Sequence, residues 1–184
     1  MIEFNNFLIY ITGFIYFVTA FFGLMICVSA VNSAYELADE KRANGEHTLL
    51  SVATRFIFGV LLLGNNALAL ALINTLGAEA SVSVDPYSML NYADIYRPSN
   101  EQLQYAMLIK TFSRTLGAWA FTSGIAQGRH INHPQEQARK GARTRLFWGV
   151  FSGVVFLFPQ LTIDLVAHYL EWFESAAKVF RQVK

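Results

Sequence analysis

Residues 7–31 are 25 consecutive positions without one charged side chain. A bilayer core of roughly 30 Å is crossed by about 20 helical residues. Helices of soluble proteins keep one face for water, and this stretch has no charged face to offer. It is therefore expected to be a membrane-spanning helix, and the competing reading is a soluble bundle with very apolar core helices. Three further apolar segments follow. Residues 56–73 run for 18 positions interrupted by Asn65-Asn66, and residues 146–163 run for 18, interrupted by Pro159 and followed by Asp164. Residues 115–127 are uncharged but reach spanning length only by extending back through Lys110 and Arg114.

The expected fold is all-α: a four-helix transmembrane bundle made of two tandem helical hairpins. Residues 1–184 form a single membrane domain. Its parts are a first hairpin over 7–76, an outer linker over 77–103, a second hairpin over 104–172 and an amphipathic tail over 173–184. That tail reads as an interfacial helix rather than a fifth span.

The rest of the 184-residue composition agrees with lipid contact. Apolar residues make up 54% and charged residues 15%, against about 25% charged in an ordinary soluble domain. Fourteen basic and thirteen acidic side chains leave a net charge of +1, so there is no global pull toward nucleic acid. The single cysteine, Cys27, excludes an intramolecular disulfide framework and a zinc knuckle. The opening Met1-Ile2-Glu3-Phe4 lacks the basic region of a signal peptide, so the first segment is expected to be a retained span.

Linker charges set the expected orientation. Residues 32–54 hold Lys41 and Arg42 with Arg55 at the edge, and residues 128–145 hold Arg129, Arg139, Lys140, Arg143 and Arg145 against Glu136 alone. The central linker has one basic residue, Arg97. The positive-inside rule places the first and third linkers in the cytoplasm, with both termini and the central linker in the periplasm. That linker carries Tyr87, Tyr92 and Tyr96 between Pro86 and Pro98, an aromatic cap at the outer interface. Ser99 followed by Gln102 fits a capping box that starts the third helix.

The halves align without a gap at an offset of 94 residues. Gly23 meets Gly117, Ser29 meets Ser123, Gly59 meets Gly153, Val60 meets Val154, Leu63 meets Leu157 and Leu76 meets Leu170. Each half reads span, polar loop, span, which is the pattern of a parallel repeat. Small residues recur at helix-packing spacing. Ser113 and Gly117 are four apart, as are Ala120, Gly124 and Gly128, and Gly149 with Gly153 forms a GxxxG. Such stripes let helix backbones approach closely in lipid, within one chain or between subunits.

Charges within the spans are candidates for pairing. Lys110 and Arg114 lie one turn apart, as do Asp164 and His168. Lys110 is 19 positions from Arg129 and Asp164 is 19 from Arg145, so a straight antiparallel hairpin sets Lys110 and Asp164 at one height. A lone charge in lipid costs about 2.5–3.5 kcal/mol on insertion scales, which favours a Lys110–Asp164 ion pair with Arg114 and His168 beside it. Arg55 reads as a snorkelling anchor. The basic loop Arg129, Arg139, Lys140, Arg143 and Arg145, with His130 and His133, suits anionic lipid headgroups or DNA phosphates. At Pro159-Gln160 a kink is expected, with a neighbouring Ser or Thr satisfying the freed carbonyl.

No catalytic residue is assigned: GxSxG, HExxH, P-loop and dinucleotide-turn motifs are all missing from the sequence. His47, His130, His133 and His168 have no metal-ligand spacing, and Cys27 has no activating base nearby. No metal or cofactor is expected, bound phospholipid aside.

The layout resembles the small polytopic membrane components of type IVB secretion and conjugation systems, the DotE/IcmC and TraQ-like proteins of the Dot/Icm and IncI-type machines. The residues that carry it are 10–31, the short charged hairpin through 38–48, residues 56–77 ending in Asn74-Thr75-Leu76-Gly77, and their counterparts 116–128 and 148–170. Each half is also similar to the layout of type IV secretion pilins. The resemblance implies a non-enzymatic, multi-pass inner-membrane subunit of a bacterial DNA or protein export apparatus. It would be a scaffold, a channel, or a pilus subunit that ends in an extracellular filament. The implied partners are membrane lipid, further copies of the chain, other secretion-system subunits, and DNA through the basic loop. The alternative from the residues themselves is a small transporter or ion channel using Lys110, Asp164 and His168.

Overall fold

The structure, a computed structural model, describes residues 2–38, 48–75, 101–170 and 173–182. The described residues are helical, with no strand among them. Helix α1 covers Ile2–Ala38, α2 Leu49–Leu63, α3 Asn65–Thr75 and α4 Glu101–Gly128. A short α5 (Glu136–Arg139) leads into α6 (Ala142–Leu157), α7 (Pro159–Tyr169) and α8 (Glu174–Gln182). The expectations placed on Lys41, Arg42, His47, Tyr87, Tyr92, Tyr96, Arg97 and the Ser99 cap lie outside the described residues.

α1 and α2 pack as one hairpin, and α4 and α6 as a second. α4 also packs against α1, α2 and α8, so it is the central element. α2 starts at Thr48, whose hydroxyl accepts from the Ser51 N–H at 3.2 Å, satisfying one orphan donor of the first turn. It ends at Gly64, whose N–H donates to Val60 O at 2.9 Å. α6 starts at Gly141, which has φ of +78°, the left-handed region that favours glycine.

The second hairpin reproduces the first at the offset of 94. The breaks fall at Gly64 and Phe158, and the helices that follow, Asn65–Thr75 and Pro159–Tyr169, start and stop at matching positions. The contacts match as well. A Cβ placed on Gly23 would stand 2.6 Å from Leu63 N, 2.7 Å from Gly59 O and 3.0 Å from Leu62 C. One placed on Gly117 would stand 2.5 Å from Leu157 N, 3.0 Å from Gly153 O and 2.8 Å from Phe156 C. Gly59 abuts Cys27, and Gly153 abuts Phe121, again 94 apart. These glycines let the two backbones touch, and any side chain there would force the helices apart.

One described helix, Glu3–Ala38, is long and apolar enough by itself to cross a membrane. α2 is apolar but shorter, and residues 136–169 qualify only if two helices bent by 86° count together. The fourth apolar segment is therefore not one continuous span: it turns at Phe158. Pro159 lacks the N–H that would bond to Val155 O. Thr162 Oγ1 lies 2.9 Å from Val155 O and 3.0 Å from Phe158 O, so a threonine does serve the freed carbonyl.

The core joins both hairpins through Tyr16, Ile26, Leu62, Ala69, Ala118, Phe121, Ile125, Leu157 and Phe158. Small and polar groups share the interior, among them Thr12, Ser51, Thr54, Asn65, Thr115 and Thr122. Large apolar side chains face outward. On α1 these include Phe14, Phe17 and Phe22, on α4 Phe112 and Trp119, and on α6 Phe147, Trp148 and Phe151.

Candidate assembly interface and basic loop

The small-residue stripe predicted from the sequence is assembled within one chain. Gly117 meets Gly153 and Leu157, and Gly124 meets Gly149: a Cβ on Gly149 would fall 2.5 Å from Gly124 Cα. Ala120 lines the same crossing through its carbonyl, 3.2 Å from that position, and Ser113 Oγ donates to Phe156 O at 3.0 Å. Gly128 does something else. It admits the ring of Phe58 from α2, so it joins the hairpins rather than closing one.

Polar contacts fasten the hairpins at several heights. The hydroxyls of Thr12 on α1 and Thr115 on α4 are 2.8 Å apart. Asn132 Nδ2, beyond the end of α4, donates to Thr54 Oγ1 at 2.8 Å. Within the first hairpin, Asn65 Nδ2 donates to Thr19 Oγ1, and Cys27 Sγ lies 3.9 Å from Phe56 O. Sequence reasoning missed all of these. Their only signal was a lone polar residue inside an apolar run, where an unsatisfied group is costly and so finds a partner.

Lys110 is buried on α4, while Arg114 and Asp164 are half-buried. α7, which carries Asp164, packs against α4. His168 is exposed on α7, its ring edge-on to Tyr169 with centroids 5.3 Å apart. Counting residues from Arg145 does not measure the height of Asp164, because the chain turns by 86° between them.

The basic loop begins where α4 ends. Arg129 Nε donates to His130 Nε2 at 2.9 Å, and the rings of His130 and His133 stand 5.8 Å apart. Partial burial holds the His130 imidazole below its ordinary value, and the positive charges of Arg129, His133 and Arg55 push the same way. Arg55 thus belongs to this cluster, because the Asn132–Thr54 bond draws the start of α2 to the loop. Arg139, Lys140, Arg143 and Arg145 are all exposed. Among the described residues no three of His, Cys, Asp and Glu converge as metal ligands.

No family model matches the chain, and neither a curated protein nor a solved structure is significantly similar to it.

Proposed function

We propose that the protein is a non-enzymatic, multi-pass subunit of the bacterial inner membrane that acts by helix-mediated assembly within a type IV secretion or conjugation apparatus. The observation that carries the membrane part is the apolar exterior. Threonine, serine and asparagine share the interior with Leu62, Phe121 and Leu157, while most of the described phenylalanines and both described tryptophans lie outside. Water would penalise each exposed aromatic ring, and a continuous apolar surface of this kind marks lipid or a protein partner. Only 22% of the most apolar stretch of α1 is buried within the chain. Glycine-mediated crossings are the usual way for helices to associate where no hydrophobic force drives them together. On this reading the four apolar segments form a transmembrane bundle, with both termini in the periplasm and the basic loop in the cytoplasm.

The secretion role draws on the resemblance of the two-hairpin layout to DotE/IcmC and TraQ-like proteins, and the basic loop supplies a surface for lipid headgroups, nucleic acid or other subunits. The test has two parts. After cell breakage and a high-speed spin the protein should pellet with membranes and resist alkaline carbonate. Deleting its gene should abolish transfer by the host apparatus, and Gly153→Leu should fail to restore it. Recovery of the chain in a detergent-free supernatant would overturn the membrane reading, and undiminished transfer would overturn the export role.

A further inference from the structure

The contacts that join the two hairpins have unused counterparts. Across the junction, Thr12 meets Thr115, Phe58 meets Gly128, and Thr54 meets Asn132. The first hairpin offers one face, Thr12, Thr54 and Phe58. The second offers another, along Thr115, Ala118, Thr122, Ile125 and Gly128. Because the hairpins repeat at an offset of 94, each also carries the face that its partner uses.

On α1 the counterpart of the α4 face is Phe21, Leu24, Val28, Val31 and Ala34. All five are exposed, and the four large ones are 43–53% accessible. On the second hairpin the counterparts of Thr12, Thr54 and Phe58 are Ala106, Trp148 and Ser152. Trp148 is exposed and Ser152 half-buried. Ala106 is buried, but what covers it is α8: Ala106 and Phe180 form one cluster with Leu103, Met107, Ile163 and Val179. The C-terminal helix therefore lies at Ala106, where the repeat geometry would seat another hairpin.

At two of the three unused pairs a large side chain faces a small one, and at the third, the counterpart of Phe58 and Gly128, Ser152 faces Ala34, both small. Where Thr12 faces Thr115, the counterparts pair small Ala106 with large Phe21. Where Thr54 faces Asn132, they pair large Trp148 with small Ala38. Small opposite large is what close packing between two surfaces requires.

We propose that copies of this chain stack head to tail, with the first hairpin of one copy docking on the second hairpin of the next as the two hairpins dock within one chain, and that α8 is the displaceable cap on that site. The interface joins two different faces, so it propagates into a ring or filament instead of stopping at a symmetric dimer. Terminal caps of this kind are the usual means of ending a repeat array. The inference rests on the self-assembly half of the proposed function and not on the secretion role.

The test uses the full chain in detergent, in a Cys27→Ser background. Ala177→Arg with Phe180→Glu opens the cap, and the reporters are Phe21→Cys with Ala106→Cys or, away from α8, Ala38→Cys with Trp148→Cys. Oxidation of either double-cysteine chain should give a ladder of products extending past the dimer once the cap is open. Each single cysteine should stay monomeric, because its neighbour in the stack carries no thiol opposite it. A synthetic peptide of residues 173–182 added before oxidation should prevent the ladder, which also shows that the opened chain is still folded. Dimers from the single cysteines as abundant as the products of the pairs, products that stop at the dimer with both, or an opened chain that stays monomeric would overturn the proposal; the last result would leave the α1 stripe facing lipid alone. A monomeric opened chain in a strain that needs the gene for transfer sinks the stacking and spares the export role. A ladder from a gene dispensable for transfer does the reverse.

Discussion

Thr12 and Thr115, 103 positions apart in sequence, place their hydroxyl oxygens 2.8 Å from each other at the junction of the two hairpins. Each also has a carbonyl of its own helix in reach: Leu8 O at 2.9 Å for Thr12 and Thr111 O at 2.9 Å for Thr115. Neither hydroxyl is orphaned when the other is removed. Thr12→Val and Thr115→Val should each cost about 1 kcal/mol. Their double-mutant cycle should return a coupling of about 0.6 kcal/mol, the average for interhelical hydrogen bonds in a membrane protein. Unfolding in a mild detergent reads both.

Gly153→Leu should be a heavier lesion than Gly59→Leu, since a Cβ at 153 meets the Phe121 backbone at 2.6 Å, whereas one at 59 meets the Cys27 Sγ at 2.6 Å and backbone only at 3.1 Å. Overpacking of this kind costs about 1–3 kcal/mol and more when backbone is the obstacle. Gly64→Ala is the control. A Cβ there meets only Val60 O at 3.6 Å, and stability should change by less than about 1 kcal/mol in either direction. Thermal melting of the three variants side by side makes the comparison.

The bend before α7 makes a further claim on a single hydroxyl. Thr162→Val strands the Val155 carbonyl, at a cost of about 1–3 kcal/mol for an unsatisfied buried group. Adding Pro159→Ala restores a backbone N–H in that neighbourhood. The double variant should therefore be more stable than Thr162→Val alone in denaturant titrations.

His130 gives the protein a pH dependence of known sign. Its folded-state value is lowered from an unfolded value of about 6.5, so folding favours the neutral ring. The corresponding stability is fully present above pH about 6.5 and is lost as pH falls through the folded value. Melting temperature followed from pH 8 down to pH 5 should fall less steeply in His130→Gln than in the parent.

The Lys110–Asp164 pairing remains a proposal with a direct test. Lys110→Asp and Asp164→Lys should each lower membrane expression, and the two together should restore it. If purified protein in liposomes carries ions and Asp164→Asn abolishes that flux, the transporter alternative replaces the assembly reading.

Periodicity and composition made the helices legible, because an uncharged run such as 7–31 admits few other structures. The repeat was visible in Gly23/Gly117 and Gly59/Gly153, although those identities are common letters. What adds weight to them is that each pair meets residues at corresponding positions, which only three dimensions reveal. The stripe on residues 113–128 and 149–153 was readable as packing, but spacing alone does not say whether the partner lies in the same chain. It also gave no hint that Gly128 serves Phe58 rather than α6. The turn at Phe158 was underestimated because a proline marks a weakness in a helix without fixing its angle. Thr12, Thr19, Asn65 and Asn132 escaped because a lone polar residue names no partner.

The lengths of the helices differ sharply within each hairpin. At 1.5 Å per residue, α1 and α4 rise by about 55 and 42 Å, whereas α2 and α6 rise by only about 22 and 24 Å before their breaks. A hydrocarbon layer of about 30 Å is too thick for the short arms and too thin for the long ones. Lipid beside α2 and α6 would be drawn thin while α1 and α4 tilt or protrude. Each chain would thus strain the surrounding membrane unevenly, and bringing the short arms of several copies together would shrink the perimeter over which that strain is felt.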